Sequence, residues 1–491
     1  MKNAVQLITY ADRFAGDLRG LTRLLRGPLH GLFGGVHILP FFYPIDGADA
    51  GFDPIDHTKV DSRLGGWIDV RELASDHELV ADVIVNHISR DSPQFLDFSE
   101  RGSRSGFTGL FLTRDSVFPG GPTDAELRAI YRPRPGPPFS RVQLKTGELL
   151  EMWTTFTAHQ IDIDVYHPQG FAYLDRILDT FGDNGIRMIR IDAVGYAIKK
   201  RGTSCFMIPE TYDFIADFTH RARQRGLEVL VEIHSYYRQQ IEIAARVDWV
   251  YDFALPPLLL HAFMYRSARS LKEWIGIRPI NALTVLDTHD GIGIVDIGAN
   301  PADRDGQPGL VSPAELDGLV EQIHANSGNV SRKATGAAAS NLDLYQVNCT
   351  YYDALARDDL RYLLARAVQF FLPGIPQVYY VGLLAGANDA NLLARTGVGR
   401  DINRPYYNEA AIDAEIQRPV VRRLFDLIRI RNVHRAFGGR FEMLNSTSTA
   451  LNLRWTQAGE MASLFVDFAS LEYRLEFSGS DKPFKLDVAE D

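Results

Sequence analysis

Three carboxylates stand at the ends of β-like runs: Asp192 in the run 185–194, Glu232 in 227–234 and Asp290 in 282–290. They are far apart in the chain and meet only if the fold gathers the ends of those runs. Two carboxyl groups flanking a glycosidic bond are the minimum for cleaving it. One attacks the sugar or activates water, and the other protonates the departing oxygen. A third stabilises the oxocarbenium-like transition state. Arg190 lies two residues before Asp192, so on a strand both side chains point to one face. Charges in an apolar run are costly to bury unless paired, and a structural ion pair is the plainer reading of Arg190 and Asp192 taken alone. His87, His234 and His289 also sit at run ends and could hydrogen-bond sugar hydroxyls. Taken singly, each reads first as structural. Asp, Glu and His at strand ends also describe metal-dependent hydrolases, but no His-x-His pair follows the first run. Asp162 and Asp164 could bind Ca²⁺. As a two-carboxylate signal, the pair reads first as an ordinary polar β edge.

The elements that must position these residues follow from the pattern. Eight short β-like runs recur, at 4–10, 34–40, 79–87, 185–194, 227–234, 247–255, 282–290 and 375–382. Leu174, Ile177, Leu178 and Phe181 have helical spacing before the fourth run. Helices are also expected over 211–225 and 362–372. Strands alternating with helices imply a parallel sheet, and eight of them imply a (β/α)₈ TIM barrel with its chemistry at the strand C-terminal ends. Two gaps, 88–167 and 291–350, are too long for plain connections. Both read as loop excursions over the barrel mouth. The second contains a Gly/Ala/Ser-rich hinge at 336–340. Beyond 438, short alternating runs such as Leu451-Asn452-Leu453-Arg454-Trp455 suggest a small antiparallel β domain. The fold class is therefore α/β: a barrel in three parts (1–87, 168–291 and 356–437), two excursion subdomains (88–167 and 292–355), and a C-terminal β domain (438–491).

Composition fits that class. The 491 residues are 45% hydrophobic and 23% charged, as in globular proteins. There is no run of eighteen apolar residues and no secretory leader, so neither a membrane nor export is expected. Two distant cysteines, Cys205 and Cys349, give no disulfide framework and fit a cytoplasmic location. A net charge of −10 argues against nucleic acid as a partner.

In order along the chain, Asp82-Val83-Ile84-Val85-Asn86-His87, Ile189-Arg190-Ile191-Asp192-Ala193-Val194, Glu232-Ile233-His234 and Leu286-Asp287-Thr288-His289-Asp290 resemble the signature regions of the α-amylase superfamily (glycoside hydrolase family 13). Narrower stretches resemble its sucrose phosphorylase group. These are 47–57 around Asp49 and Phe52, Tyr131-Arg132-Pro133-Arg134-Pro135-Gly136, His234-Ser235-Tyr236-Tyr237, 341–348, and Gly399-Arg400-Asp401-Ile402-Asn403-Arg404. The resemblance runs from residue 2 to about residue 435.

That resemblance implies a retaining hexosyl transfer. Sucrose and inorganic phosphate would give α-glucose 1-phosphate and fructose, with no cofactor and no metal, in a homodimer. Asp192 is implied as nucleophile, Glu232 as general acid/base and Asp290 as transition-state stabiliser. Asp49, Phe52, His87, Phe156, Arg190, Ile191, Tyr196, His289 and Arg400 are implied around the glucosyl unit. Arg134, Asp343, Leu344, Tyr345 and Gln346 are implied at the acceptor, where an exchange of Asp343 for Arg134 would serve fructose and phosphate in turn. Arg190 is expected to keep Asp192 ionised, and Glu232 to be raised by burial. Ile191, Pro137 and Ile45 depart from the group's pattern by apolar or turn changes. The alternatives are a phosphorylase of glucosylglycerol or sucrose 6'-phosphate, a hydrolytic α-glucosidase, and a non-catalytic scaffold barrel.

Overall fold

The computed structural model describes residues 1–47, 50–132, 136–300, 306–335, 346–480 and 483–486. Eight parallel strands close into a barrel: β1 (Gln6–Thr9), β2 (Gly35–Ile38), β3 (Glu78–Ile84), β4 (Ile186–Asp192), β5 (Glu228–Val231), β6 (Trp249–Asp252), β7 (Ala282–Thr284) and β8 (Ile375–Tyr379). Each pairs with its neighbour in sequence order, and β8 closes on β1. All eight β-like runs are barrel strands. Most strands stop short of the run's polar end, so Glu232 follows β5 directly while Asp290 lies six residues beyond β7. The polar residues fall on the loops at the barrel mouth.

Strand β4 shows why the interior is layered. Alternation sends Met188, Arg190 and Asp192 to one face and Ile189 and Ile191 to the other. Met188 joins Val80, Leu230, Leu283 and Ile375 in an apolar cluster inside the barrel. Ile189 and Ile191 belong instead to the large core between barrel and helices. Above the apolar layer, Asp82 of β3 registers directly opposite Arg190. His37 Nε2 lies 3.1 Å from Asp82 Oδ2, and Tyr251 donates to Gln377 Oε1 at 3.0 Å. Gln377 in turn donates to Gln6 at 3.2 Å. The barrel is thus a packed plug with a hydrogen-bonded polar layer just under its mouth.

The expected helices form as Pro168–Asp183, Pro209–Arg223 and Asp359–Phe371. The first starts with Pro at its N-terminus and buries Leu174, Ile177, Leu178 and Phe181, the stripe that the spacing marks. The excursions hold more regular structure than loops. The first carries a helix, Pro93–Arg101, and a hairpin of Phe139–Gln143 with Leu149–Trp153. Its strand Gln160–Asp162 pairs with His87–Ser89 just beyond β3. The second carries the helix Pro313–Asn326, begun by a Ser312/Glu315 capping box, and a short pairing of Ile292–Gly293 with Gln346–Val347. Four antiparallel strands form the C-terminal sheet, and Trp455 ties it to the helical layer by donating to the Phe371 carbonyl at 2.7 Å. Among the described residues, no helix is long and apolar enough to cross a membrane.

His57, packed on Phe42 and Phe181 between the barrel and its helices, gives a pH signature. Its Nε2 donates to the Asp82 carbonyl at 2.9 Å, its Nδ1 is buried without a hydrogen-bond partner, and its ring packs on Phe42. Burial lowers its pKa to about 4. The unfolded chain takes up that proton near pH 6.5, and the folded chain does not. The contribution is complete above pH 6.5 and is lost as pH falls towards 4, up to about 3 kcal/mol. Thermal midpoints measured from pH 7 to 5 should fall less steeply in His57→Gln than in the parent. Equal slopes would contradict this.

Candidate active site

The site is assembled around the Arg190 guanidinium. Nη1 donates to Asp82 Oδ1 at 2.6 Å and to Asp192 Oδ1 at 2.9 Å, and Nη2 lies 3.2 Å from Glu232 Oε1. One planar fork therefore holds three carboxylates from three adjacent strands or their ends. Its own side chain is 2% exposed. Burial opposes its charge, but Glu232, Asp82 and Asp192 together hold the guanidinium protonated. Asp82 lies under the pair as a fixed anion. Burial pushes its carboxyl up, but His37 and Arg190 outweigh this and lower its pKa to about 2.

Asp192 behaves otherwise than the sequence suggests. Burial raises its pKa well above the usual carboxylate range, and Glu232, Asp82 and Asp290 add to the rise. Arg190 pulls the other way, but its charge is divided among three carboxylates. Arg190 favours the ionised form, as its place on the same face leads one to expect, but burial and the neighbouring carboxylates outweigh it. Next in the chain, Ala193 adopts a left-handed conformation at φ 54° and turns the backbone into a short 3₁₀ segment, Val194–Tyr196. A non-glycine residue in that region carries strain, of a kind that clusters at functional sites. The turn brings Tyr196 back against Phe156, with ring centroids 5.4 Å apart.

Asp290 is gripped from the loop that follows β8. Arg400 Nη1 lies 3.0 Å from its Oδ1 and Arg404 Nη2 3.7 Å away. Asn403 donates to the Asp290 carbonyl at 2.8 Å, and Arg404 Nε donates to the His289 carbonyl at 2.8 Å. Burial opposes ionisation here too, but Arg400 first, with Arg404 and His234, holds the carboxyl well below its ordinary range. His289 is neutral: burial lowers its pKa to about 3. Its ring stacks on Phe52 at 4.9 Å, and the Arg190 guanidinium carbon lies 5.5 Å from the same Phe52 ring. His87 Nε2 donates to the Phe52 carbonyl at 3.0 Å, and its ring meets Phe156 edge-on at 5.5 Å. Phe52, His87, Phe156 and Tyr196 thus make a continuous aromatic wall beside the carboxylates.

Gln346 lies in the short pairing opposite Gly293, three residues past Asp290. Asp49, Arg134, Asp343, Leu344 and Tyr345, with the 336–340 hinge, lie outside the described residues. Ile191 does not join the site. Alternation turns it away from Arg190 and Asp192 into the core between barrel and helices, so its place is packing and not sugar contact.

Several functional positions are absent from the sequence-based set. Asp82 stands in a quoted motif without a part assigned to it, and Arg404 and Asn403 extend the Arg400 motif. Lys199 leaves no signal in spacing. Its ammonium is buried and reaches Asn86 Oδ1 at 2.5 Å, Asp162 Oδ2 at 2.5 Å and the Tyr196 carbonyl. Asp162 also accepts from Thr155 N at 3.0 Å and Thr155 Oγ1 at 2.5 Å. The carboxylate considered for Ca²⁺ is thus met by the protein's own cation. Asp162 lies in a buried strand and not on an open polar edge. This bridge fastens the first excursion to the turn after Asp192.

A closed eight-stranded barrel with a carboxylate pair on a shared arginine, a third carboxylate opposite and an aromatic wall defines the class as a glycosidase-type (β/α)₈ enzyme. The chain is 58% identical over 480 residues to the sucrose phosphorylase of Agrobacterium vitis, covering 98% of each chain. It is 53% identical over 465 residues to that of Bifidobacterium adolescentis, covering 94% of this chain and 92% of the relative. A crystal structure of sucrose 6F-phosphate phosphorylase from Thermoanaerobacter thermosaccharolyticum superposes with a TM-score of 0.90 at 36% identity, covering 98% of this chain and 97% of that one. No protein-family model matches the chain. The chain belongs to the sucrose phosphorylase family.

Breaking the Lys199 bridge should cost stability. Lys199→Met leaves Asp162 buried without its cation, at a cost of about 3–5 kcal/mol. The thermal midpoint should fall by several degrees and partly recover in Lys199→Met/Asp162→Asn. An unchanged midpoint in the single variant would contradict the assignment.

Proposed function

We propose that this protein is an enzyme of reversible sucrose phosphorolysis, yielding α-D-glucose 1-phosphate and D-fructose through a covalent glucosyl–enzyme. The observation that carries this reading is the Arg190 fork, which holds Asp192 and Glu232 side by side, in a chain 58% identical to a sucrose phosphorylase. Two carboxyls held by one guanidinium suit the short gap that a retaining pair needs.

In the first half-reaction, Asp192 attacks C1 of the glucosyl unit as the C1–oxygen bond to fructose breaks. The Glu232 proton passes to the departing fructose oxygen. In the second, a phosphate oxygen attacks C1, the Asp192–C1 bond breaks, and the phosphate proton returns to Glu232. Two inversions give net retention. Asp290, held ionised by Arg400 and Arg404, stabilises the positive charge that develops at C1 in both halves. The raised pKa of Asp192 comes from burial and the neighbouring carboxylates. Positive charge growing at C1 favours its ionised form at the moment of attack. Phe52 and Phe156 present aromatic faces to the ring and its cation. Arg134, Asp343, Leu344, Tyr345 and Gln346 complete the acceptor side in this reading, with Arg134 meeting phosphate as a bidentate donor.

The test is a donor and acceptor panel. Glucose 1-phosphate should appear from sucrose only when phosphate is added, with sucrose preferred over sucrose 6'-phosphate and glucosylglycerol. Glucose release independent of phosphate would point to a hydrolase instead. Asp192→Asn should lower turnover by about 10⁴-fold or more while leaving the thermal midpoint near that of the parent. Substantial residual turnover would remove Asp192 from the nucleophile's place.

A further inference from the structure

His234 follows Glu232 by two residues. Its ring stacks on Phe253 with centroids 3.8 Å apart, and its Nε2 lies 3.9 Å from Glu232 Oε1. Ligand atoms of Glu232, His234 and Asp290 fall within 4.8 Å of one another, and His234 and Asp290 line one cavity. The other ring nitrogen, Nδ1, is 2.8 Å from Asp296 Oδ2. Asp296 is fully buried. Its Oδ1 accepts from Ser235 N at 3.1 Å and from Gln240 Nε2 at 2.8 Å. A carboxylate with these three contacts acts only as an acceptor, so Nδ1 is the donor and the ring's orientation is fixed.

Gly293 closes the arrangement. A Cβ at that position would lie 2.0 Å from Asp296 Oδ2 and 2.8 Å from His234 Nδ1. The Asp296–His234 contact therefore exists only because the backbone passes over it without a side chain. Gly293 also pairs with Gln346, so the segment that covers the dyad is the one leading to the acceptor-side residues.

We infer that Asp296, carried in on the second excursion, is a positioning residue for the acceptor half of the reaction: it holds the His234 imidazole with its Nε2 edge towards the cleft beside Glu232, where the fructose oxygen leaves and the phosphate oxygen enters. This rests on the phosphorolysis reading above. The groups facing His234 are Asp296 on the excursion, Glu232 at the end of β5 and Asp290 beyond β7. All three favour its protonated form, and together they raise its pKa against burial. A ring held in that state offers a donor to an anionic oxygen at a place otherwise lined by carboxylates.

The test compares Asp296→Asn and Gly293→Ala with the parent enzyme on two substrates. Sucrose with varied phosphate reports the acceptor half. Hydrolysis of α-glucosyl fluoride, whose small leaving group needs no acceptor contacts, reports attack by Asp192. Both variants should raise the KM for phosphate about tenfold or more and lower the rate with glucosyl fluoride much less. Gly293→Ala should do so although it alters no titratable group. Equal losses on both substrates, or no change in the KM for phosphate, would overturn the inference. If Gly293→Ala does not fold, Asp296→Asn alone decides by the same split. Failure of the parent enzyme to form glucose 1-phosphate from sucrose and phosphate would overturn the phosphorolysis reading itself, a distinct result.

Discussion

The arrangement depends on one shared cation. Arg190 meets three carboxylates, and each contact restricts the others. Asp82 beneath it fixes one edge of the guanidinium, and what remains of the fork is presented upward to Asp192 and Glu232. A buried cluster of this kind is costly to desolvate and gives little net stability. What it gives is geometry, since a planar fork allows its partners few positions. The polar layer of His37, Tyr251 and the barrel glutamines then becomes intelligible. It gives His37, Asp82, Tyr251 and Gln377 hydrogen-bond partners just below the fork.

Much of this was legible from the chain. The barrel could be read because each strand is a short β-rich run closed by polar residues, and because period-two alternation puts Arg190 and Asp192 on one face. Alternation also shows why Ile191 falls away from the sugar, although the resemblance placed it there. Other features depend on contacts that spacing does not encode. Lys199 reaches Asp162 only through the left-handed turn at Ala193 and the return of the first excursion. Asp296 reaches His234 only because the second excursion folds back over the mouth. The charge balance at Asp192 is hidden in the sequence for a related reason. A single adjacent arginine is visible in sequence, but its division among three carboxylates is not.

The two excursions divide the work around the rigid barrel. The first is fastened at the turn after Asp192 by the Lys199 bridge and supplies Phe156 to the aromatic wall. The second leaves directly from Asp290, supplies Asp296 and returns through Gln346. Loops placed at strand ends change specificity without altering the barrel. Here each excursion is also tied by a buried charged group to the mouth: the first by Asp162 to Lys199, the second by Asp296 to His234.

The most direct test of the central claim is the site of covalent attachment. Glu232→Gln should be mixed with α-glucosyl fluoride without phosphate, then digested and mapped by mass spectrometry. The account predicts a single glucosyl group on the peptide containing Asp192, and none in the Glu232→Gln/Asp192→Asn enzyme. Attachment to any other residue, or a labelled enzyme that persists after Asp192 is replaced, would contradict it.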